Sequence, residues 1–202
     1  MQMAHIDYYL ATLSPWCYLA GNRLEEIAAR HGATIRYRPL DVMQLFDRSG
    51  GTRPPARHPN RVAYRMQEIL RWSKWLGMPM NPNPTLPQVN MAPSSYAVIA
   101  AQEAGQGNIG ALVQGFLRAR WVEDRDISDD EVIRDVLTSC GFDPEIANKG
   151  LFVGAEIYGR NLDDAIDQGV FGVPFYIVRE TNERFWGQDR LEFLDRHLAE
   201  IA

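Results

Sequence analysis

The sequence predicts an α/β fold in which a four-stranded mixed sheet, assembled from an N-terminal βαβ unit and a C-terminal ββα unit, is interrupted by a large all-helical insertion. Three observations carry this reading. Apolar runs rich in β-branched and aromatic residues cluster near the two ends of the chain, whereas the middle shows helical periodicity. Neither end supplies more than two strands, and a two-stranded sheet is not stable alone, so the two pairs must combine. The expected division is therefore a sheet domain of residues 1–41 plus 169–202, with a helix from about 151 bridging into it, and a helical insertion over 42–168.

Each element has its own cue. His5–Ala11 carries Ile6, Tyr8, Tyr9 and Leu10 and reads as a buried strand. Ser14-Pro15 opens a helix, with serine as N-cap and proline in the first turn, and Gly32 closes it after an apolar face of Leu19, Leu24, Ile27 and Ala28. Thr34–Leu40 is the second strand of a parallel pair. Asp41 to Asn60 reads as a loop of weak periodicity. A helix resumes at Arg61 and stops at Gly77. Five prolines between Pro79 and Pro93 forbid regular structure there. Helices then follow over Ser94–Ala104, Ile109–Val122, Asp129–Cys140 (opened by a Ser128-x-x-Glu131 capping box), Asp143–Asn148 and Leu151–Asp167. After Gly169, Val173–Arg179 and Glu183–Trp186 form a hairpin about Thr181-Asn182, and a last helix from Gln188 buries Leu191, Leu194, Leu198 and Ile201.

Composition narrows the function. The 202 residues are 46% hydrophobic and 23% charged, values of a globular chain rather than a disordered one. A net charge of −5 argues against nucleic acid as the partner. No apolar run reaches the ~18 residues of a membrane span, and the start lacks the charge and apolar core of a signal peptide, so a cytoplasmic protein is expected. Four scattered histidines offer no metal-ligand spacing, and no metal is expected. Phosphate-binding glycine loops are missing as well.

The order βαβ then ββα resembles the thioredoxin arrangement, which draws attention to Ser14-Pro15-Trp16-Cys17 at the first helix. A redox protein of that type carries two cysteines there. With serine first, a single thiol cannot cycle to an intramolecular disulfide, and Cys17 and Cys140 lie far apart. What remains is a hydroxyl and free N–H groups suited to holding another molecule's thiolate. Taken alone, Ser14 is equally an ordinary N-cap. Val173-Pro174, preceded by Gly169 and Gly172, is either a plain strand opening or a cis proline whose flanking amides pair with an extended peptide. Trp186-Gly187-Gln188-Asp189 is either a helix cap or a grip on both charges of an α-amino acid group.

Together these segments resemble the kappa-class glutathione transferase family, and within it the 2-hydroxychromene-2-carboxylate isomerases. The resemblance rests on Leu13–Ala20, Tyr64 with Arg71-Trp72, Leu76–Pro79, Gly169–Pro174 and Phe185–Leu191, in the family's order over nearly the whole chain. It implies a thioredoxin-like, DsbA-like fold, glutathione as cofactor, a homodimer and a small-molecule substrate, an aromatic or unsaturated keto acid. Ser14 matches the catalytic serine that stabilises the glutathione thiolate. Ser14, Val173, Pro174, Trp186, Gly187, Gln188 and Asp189 match the glutathione-binding positions; Asn60, Trp16 and Asn90 are candidate substrate contacts. The implied reaction is reversible addition of the glutathione thiolate to the acid's double bond. A transferase or peroxidase acting on general electrophiles, a non-catalytic glutathione- or peptide-binding module, and a disulfide exchanger working through Cys17 are the alternatives. An acid substrate also calls for cationic groups; Arg53, Arg57, Arg61 and Asn90 lie in loops that supply them, or are simply solvated surface.

Overall fold

Four strands in the order β2-β1-β3-β4 frame the protein, whose computed structural model describes residues 3–105 and 107–201. β1 (His5–Leu10) runs parallel to β2 (Thr34–Pro39), with Tyr8 opposite Tyr37. β3 (Phe175–Val178) runs antiparallel to β1, Tyr9 facing Phe175, and β4 (Glu183–Trp186) closes the other edge antiparallel to β3. The two ends of the chain thus meet along β1 and β3. Ile6 to Leu10 and all of β3 are buried, as central strands covered on both faces should be.

The helix expected from Ser14 to Gly32 is two helices, α1 (Pro15–Ala20) and α2 (Arg23–His31). Gly21 separates them at φ 60°, ψ −141°, a backbone setting that an L side chain rarely adopts. The expected loop from Asp41 to Asn60 also needs correction. It contains α3 (Val42–Ser49), capped by Asp41 Oδ1, which accepts from the Met43 and Gln44 N–H groups, and a single 3-10 turn at Pro54–Ala56. α3 buries only Val42 and Leu45, too few positions for a period to stand out. α4 (Pro59–Leu76) starts ahead of Arg61, with His58 Nδ1 accepting from the Asn60 N–H.

The remaining helices are α5 (Ala92–Glu103), α6 (Ile109–Trp121), α7 (Asp130–Ser139), the single turn α8 (Ile146–Lys149), α9 (Leu151–Asp167) and α10 (Leu191–Ile201). The Ser128–Glu131 capping box does not form. Asp129 caps α7 instead, while the Ser128 hydroxyl donates to Asp126 Oδ1 at 2.6 Å. β3 begins at Phe175 rather than Val173: the ladder starts at Phe175, after the cis Val173-Pro174 bond.

One hydrophobic cluster joins the sheet (Leu10, Tyr176, Val178) to α1 (Cys17, Leu19), α6 (Phe116, Leu117) and α10 (Leu194, Leu198). Polar stitching adds to it at a decisive place. The buried Thr12 hydroxyl lies 2.9 Å from Ser94 Oγ and donates to the Met91 carbonyl, tying the loop ahead of α1 to the start of α5. Among the described residues no helix is long and apolar enough to cross a membrane.

Candidate active site at the first helix

Ser14 opens α1 from a buried position, 8% exposed. Its Oγ accepts one long bond, 3.3 Å, from the Cys17 N–H, and its own N–H donates to the Ala11 carbonyl at 2.9 Å. Among the described residues no hydrogen bond from the hydroxyl is resolved, and the one group close enough to feel it is the Cys17 thiol. A serine so placed can donate to an incoming anion without first giving up a bond.

Cys17, three residues on, is wholly buried. Burial pushes its thiol up to about 11, against the opposing pull of the Ala11 backbone and the Ser14 and Tyr8 hydroxyls. A neutral, sealed thiol is a poor nucleophile. The geometry therefore runs against the disulfide exchanger.

The second segment arrives from β3. No backbone–backbone bond among the described residues uses the N–H or C=O of Val173, although its neighbour Pro174 accepts from the Gly187 N–H at 2.9 Å. An extended peptide can pair with such an unused amide pair as a strand would. Trp186, half-exposed, lays its indole against Phe171 and over Gly172, where a side-chain Cβ would come within 2.6 Å of the indole nitrogen.

Gly187 then turns the chain at φ 107° into the 3-10 turn Gln188–Arg190, which packs on α1. The Gln188 side chain is buried and accepts from the Arg23 guanidinium, so it locks the turn to the α1–α2 junction. Its backbone N–H, like that of Asp189, enters no described backbone bond and stays free for a ligand. The Asp189 carboxylate is partly exposed and pairs with Arg190 at 2.7 Å. Through Arg23 and Pro174, the three segments that the sequence singles out form one connected patch.

The substrate candidates are less united. Trp16 is half-buried against the core beside Ser14. Asn90 Oδ1 is engaged as a cap, accepting from the Ala92 N–H at 3.0 Å, close to the Thr12 stitch. Asn60 is exposed in the first turn of α4 and no hydrogen bond joins it to Ser14. Arg53 faces Asp47 in a surface ion pair. Sequence reasoning passed over Arg65, half-buried on α4 and facing no carboxylate among the described residues. A cavity of about 520 Å³ touches α1 only at Tyr18 and takes in Met78, Gln114, Arg118 and Cys140, away from Ser14. Its arginines are already paired, Arg118 with Glu123 and Arg125 with Asp135. Among the described residues no group of three His, Cys, Asp or Glu is placed to hold a metal.

Fold and site together define a thioredoxin-type protein in which one hydroxyl and one sealed thiol stand where a redox pair would be. The comparisons with known proteins agree: the chain belongs to the DSBA-like thioredoxin domain family, whose model matches residues 5–199, and within it to the 2-hydroxychromene-2-carboxylate isomerases, which are enzymes. An isomerase of that name from Sphingobium xenophagum is 30% identical over 96% of this chain and 98% of its own length. A solved structure of 2-hydroxychromene-2-carboxylate isomerase superposes with a TM-score of 0.76 at 26% identity, covering 98% of this chain and 95% of that one. A kappa 1 glutathione S-transferase from Caenorhabditis elegans is 24% identical over 96% of this chain and 90% of its own.

Proposed function

We propose that this chain is a glutathione-dependent isomerase of the 2-hydroxychromene-2-carboxylate type, in which Ser14 is the catalytic residue. The observation that carries the reading is the Ser14 hydroxyl, buried at the mouth of α1 and accepting a single long bond, beside a cysteine that burial has silenced. The residues present fit the tripeptide. Val173 offers an unused N–H and C=O for the cysteinyl backbone, the Gln188 and Asp189 N–H groups suit the γ-glutamyl carboxylate, and the Asp189 side chain suits its ammonium. Pro174, Trp186 and Gly187 hold those groups in place.

When bound, glutathione supplies a thiolate that adds reversibly to the double bond of an unsaturated keto acid. Ser14 holds the anion by donating its hydroxyl proton in a hydrogen bond, which favours the ionised sulfur without transferring the proton. Trp16, beside Ser14, and Trp186 supply apolar walls that limit water at that point. Asn60 and Asn90 stay with the proposal as substrate contacts, Asn90 only if it leaves its cap.

The kappa relative supports a second reading, transfer of glutathione to general electrophiles at the same site. Purified protein given hydroxychromene carboxylate, an aryl halide and an organic peroxide, each with and without glutathione, decides between them. Glutathione-dependent turnover of the first alone supports the isomerase; turnover of the others alone supports the transferase or peroxidase. Binding of glutathione with no turnover leaves a non-catalytic module. A reducing cytoplasm and a homodimer complete the proposal. The neighbouring exposed side chains Leu151, Phe152 and Val153 are apolar surface that a second copy can cover.

A further inference from the structure

Three arginines, one just ahead of α4 and two in its first turns, stand apart from the other cations around them. Arg48, Arg53 and Arg71 each face a carboxylate, of Asp163, Asp47 and Glu68 respectively. Arg57, Arg61 and Arg65, spaced four residues apart, have none among the described residues. Arg57 is nevertheless held: its Nε donates to the Thr52 carbonyl at 2.9 Å and its guanidinium lies 5.3 Å from the centre of the Phe46 ring. Burial and then repulsion from Arg57 pull Arg65 down to about 10, and burial followed by repulsion from Arg61 lowers Arg57 in the same way. Arg57 and Arg65, partly desolvated, and the exposed Arg61 between them in sequence have no counter-charge among the described residues, and an anion from outside the chain relieves their mutual repulsion.

We propose that Arg57, Arg61 and Arg65 form a subsite for an organic carboxylate, that of the acid substrate. The assignment to the substrate rests on the isomerase reading above. Two features favour it over glutathione's own carboxylates. α1 packs on the Gln188 turn and, separately, on α4, the helix that carries Arg61 and Arg65, with Arg57 two residues ahead of it. Tyr64, exposed one turn from Arg61, adds a ring against which an aromatic acid can lie. Guanidinium forks match carboxylates in a bidentate geometry that ammonium groups do not.

The test titrates the full chain calorimetrically with salicylate, with the uncharged salicylamide and with glutathione. The expected result is a preference for salicylate over salicylamide that falls about tenfold or more in Arg65→Gln, with partial recovery in Arg65→Lys and unchanged glutathione affinity. Arg61→Gln, at an exposed position, repeats the test should Arg65→Gln fold poorly. Equal binding of salicylate and salicylamide by the wild type overturns the proposal. So does a variant that weakens both alike, or one that weakens glutathione in place of salicylate. Charge-selective salicylate binding in a chain that ignores glutathione would sink the isomerase reading and leave this subsite standing.

Discussion

Removing the Ser14 hydroxyl separates its two roles by size. As a cap it accepts a single 3.3 Å bond from the Cys17 N–H, at the long end of hydrogen-bond geometry, so Ser14→Ala should cost about 0.5 kcal/mol of stability, the bottom of the usual range of about 0.5–2. As a donor to a thiolate it makes a charge-assisted bond worth about 1.5–3 kcal/mol. At 1.36 kcal/mol per decade, that is a loss of roughly 10- to 150-fold in kcat/KM. Initial rates of hydroxychromene carboxylate isomerisation at saturating glutathione measure it, with thermal melting of the same sample as the stability control. The rising, acid-side limb of the pH–rate profile should also move to higher pH, because the thiolate forms less readily once a donor to the ionised sulfur has gone. A variant that melts normally and keeps wild-type rate and profile would refute the role given to Ser14.

Four further outcomes are expected. Cys17 should resist alkylation in the folded protein up to pH 9, its thiol being sealed and pushed up to about 11, and Cys17→Ala should isomerise at close to the wild-type rate; rapid labelling by mass spectrometry would contradict this. Ser14→Cys places a thiol three residues ahead of Cys17 and should confer insulin-reducing activity that Ser14→Ala lacks. Gly187→Ala forces a side chain to φ 107° and into the Asp189 carboxylate, costing about 1–3 kcal/mol of strain and weakening glutathione binding in a titration. Burial opposes ionisation of Asp7, but hydrogen bonds from Arg179 at 2.7 Å and Arg38 at 2.6 Å outweigh it and hold the carboxyl below its usual value of 3.8. Because the folded pKa is the lower one, this stabilisation is complete above about pH 4 and fades as pH falls through the folded value. Asp7→Asn should therefore cost about 1.5–3 kcal/mol in denaturant melts at neutral pH and less in strong acid.

Much of the frame was legible because the strands advertise themselves. Ile6–Leu10, apolar but for Asp7, and the unbroken run Phe175–Val178 stand out, and two incomplete sheet fragments leave one way to finish the sheet. Ser14, Val173 and the Gly187–Asp189 turn stood out because proline, glycine and capping residues constrain the backbone locally. The misses share a different origin. α3 is two turns long and buries two side chains, so its period never rose above the surrounding loop. The Gly21 break lies inside an otherwise continuous helical pattern, and glycine within such a pattern is commonly tolerated. The sequence left the direction of the Gln188 side chain open. Only the fold brings Arg23, far away in sequence, to take its side chain inward. Arg65 lies four residues before the buried Ile69, on the packed face of α4, and sequence alone does not tell a solvated arginine near a helix end from one desolvated by its neighbours.

The central claim is that the reactive sulfur comes with a bound tripeptide rather than from the chain, and isothermal titration with reduced glutathione tests it most directly. The account predicts saturable binding at one site per chain, weakened by Asp189→Ala and unaffected by Cys17→Ala. No heat of binding at millimolar glutathione, or binding that vanishes with Cys17, would contradict it.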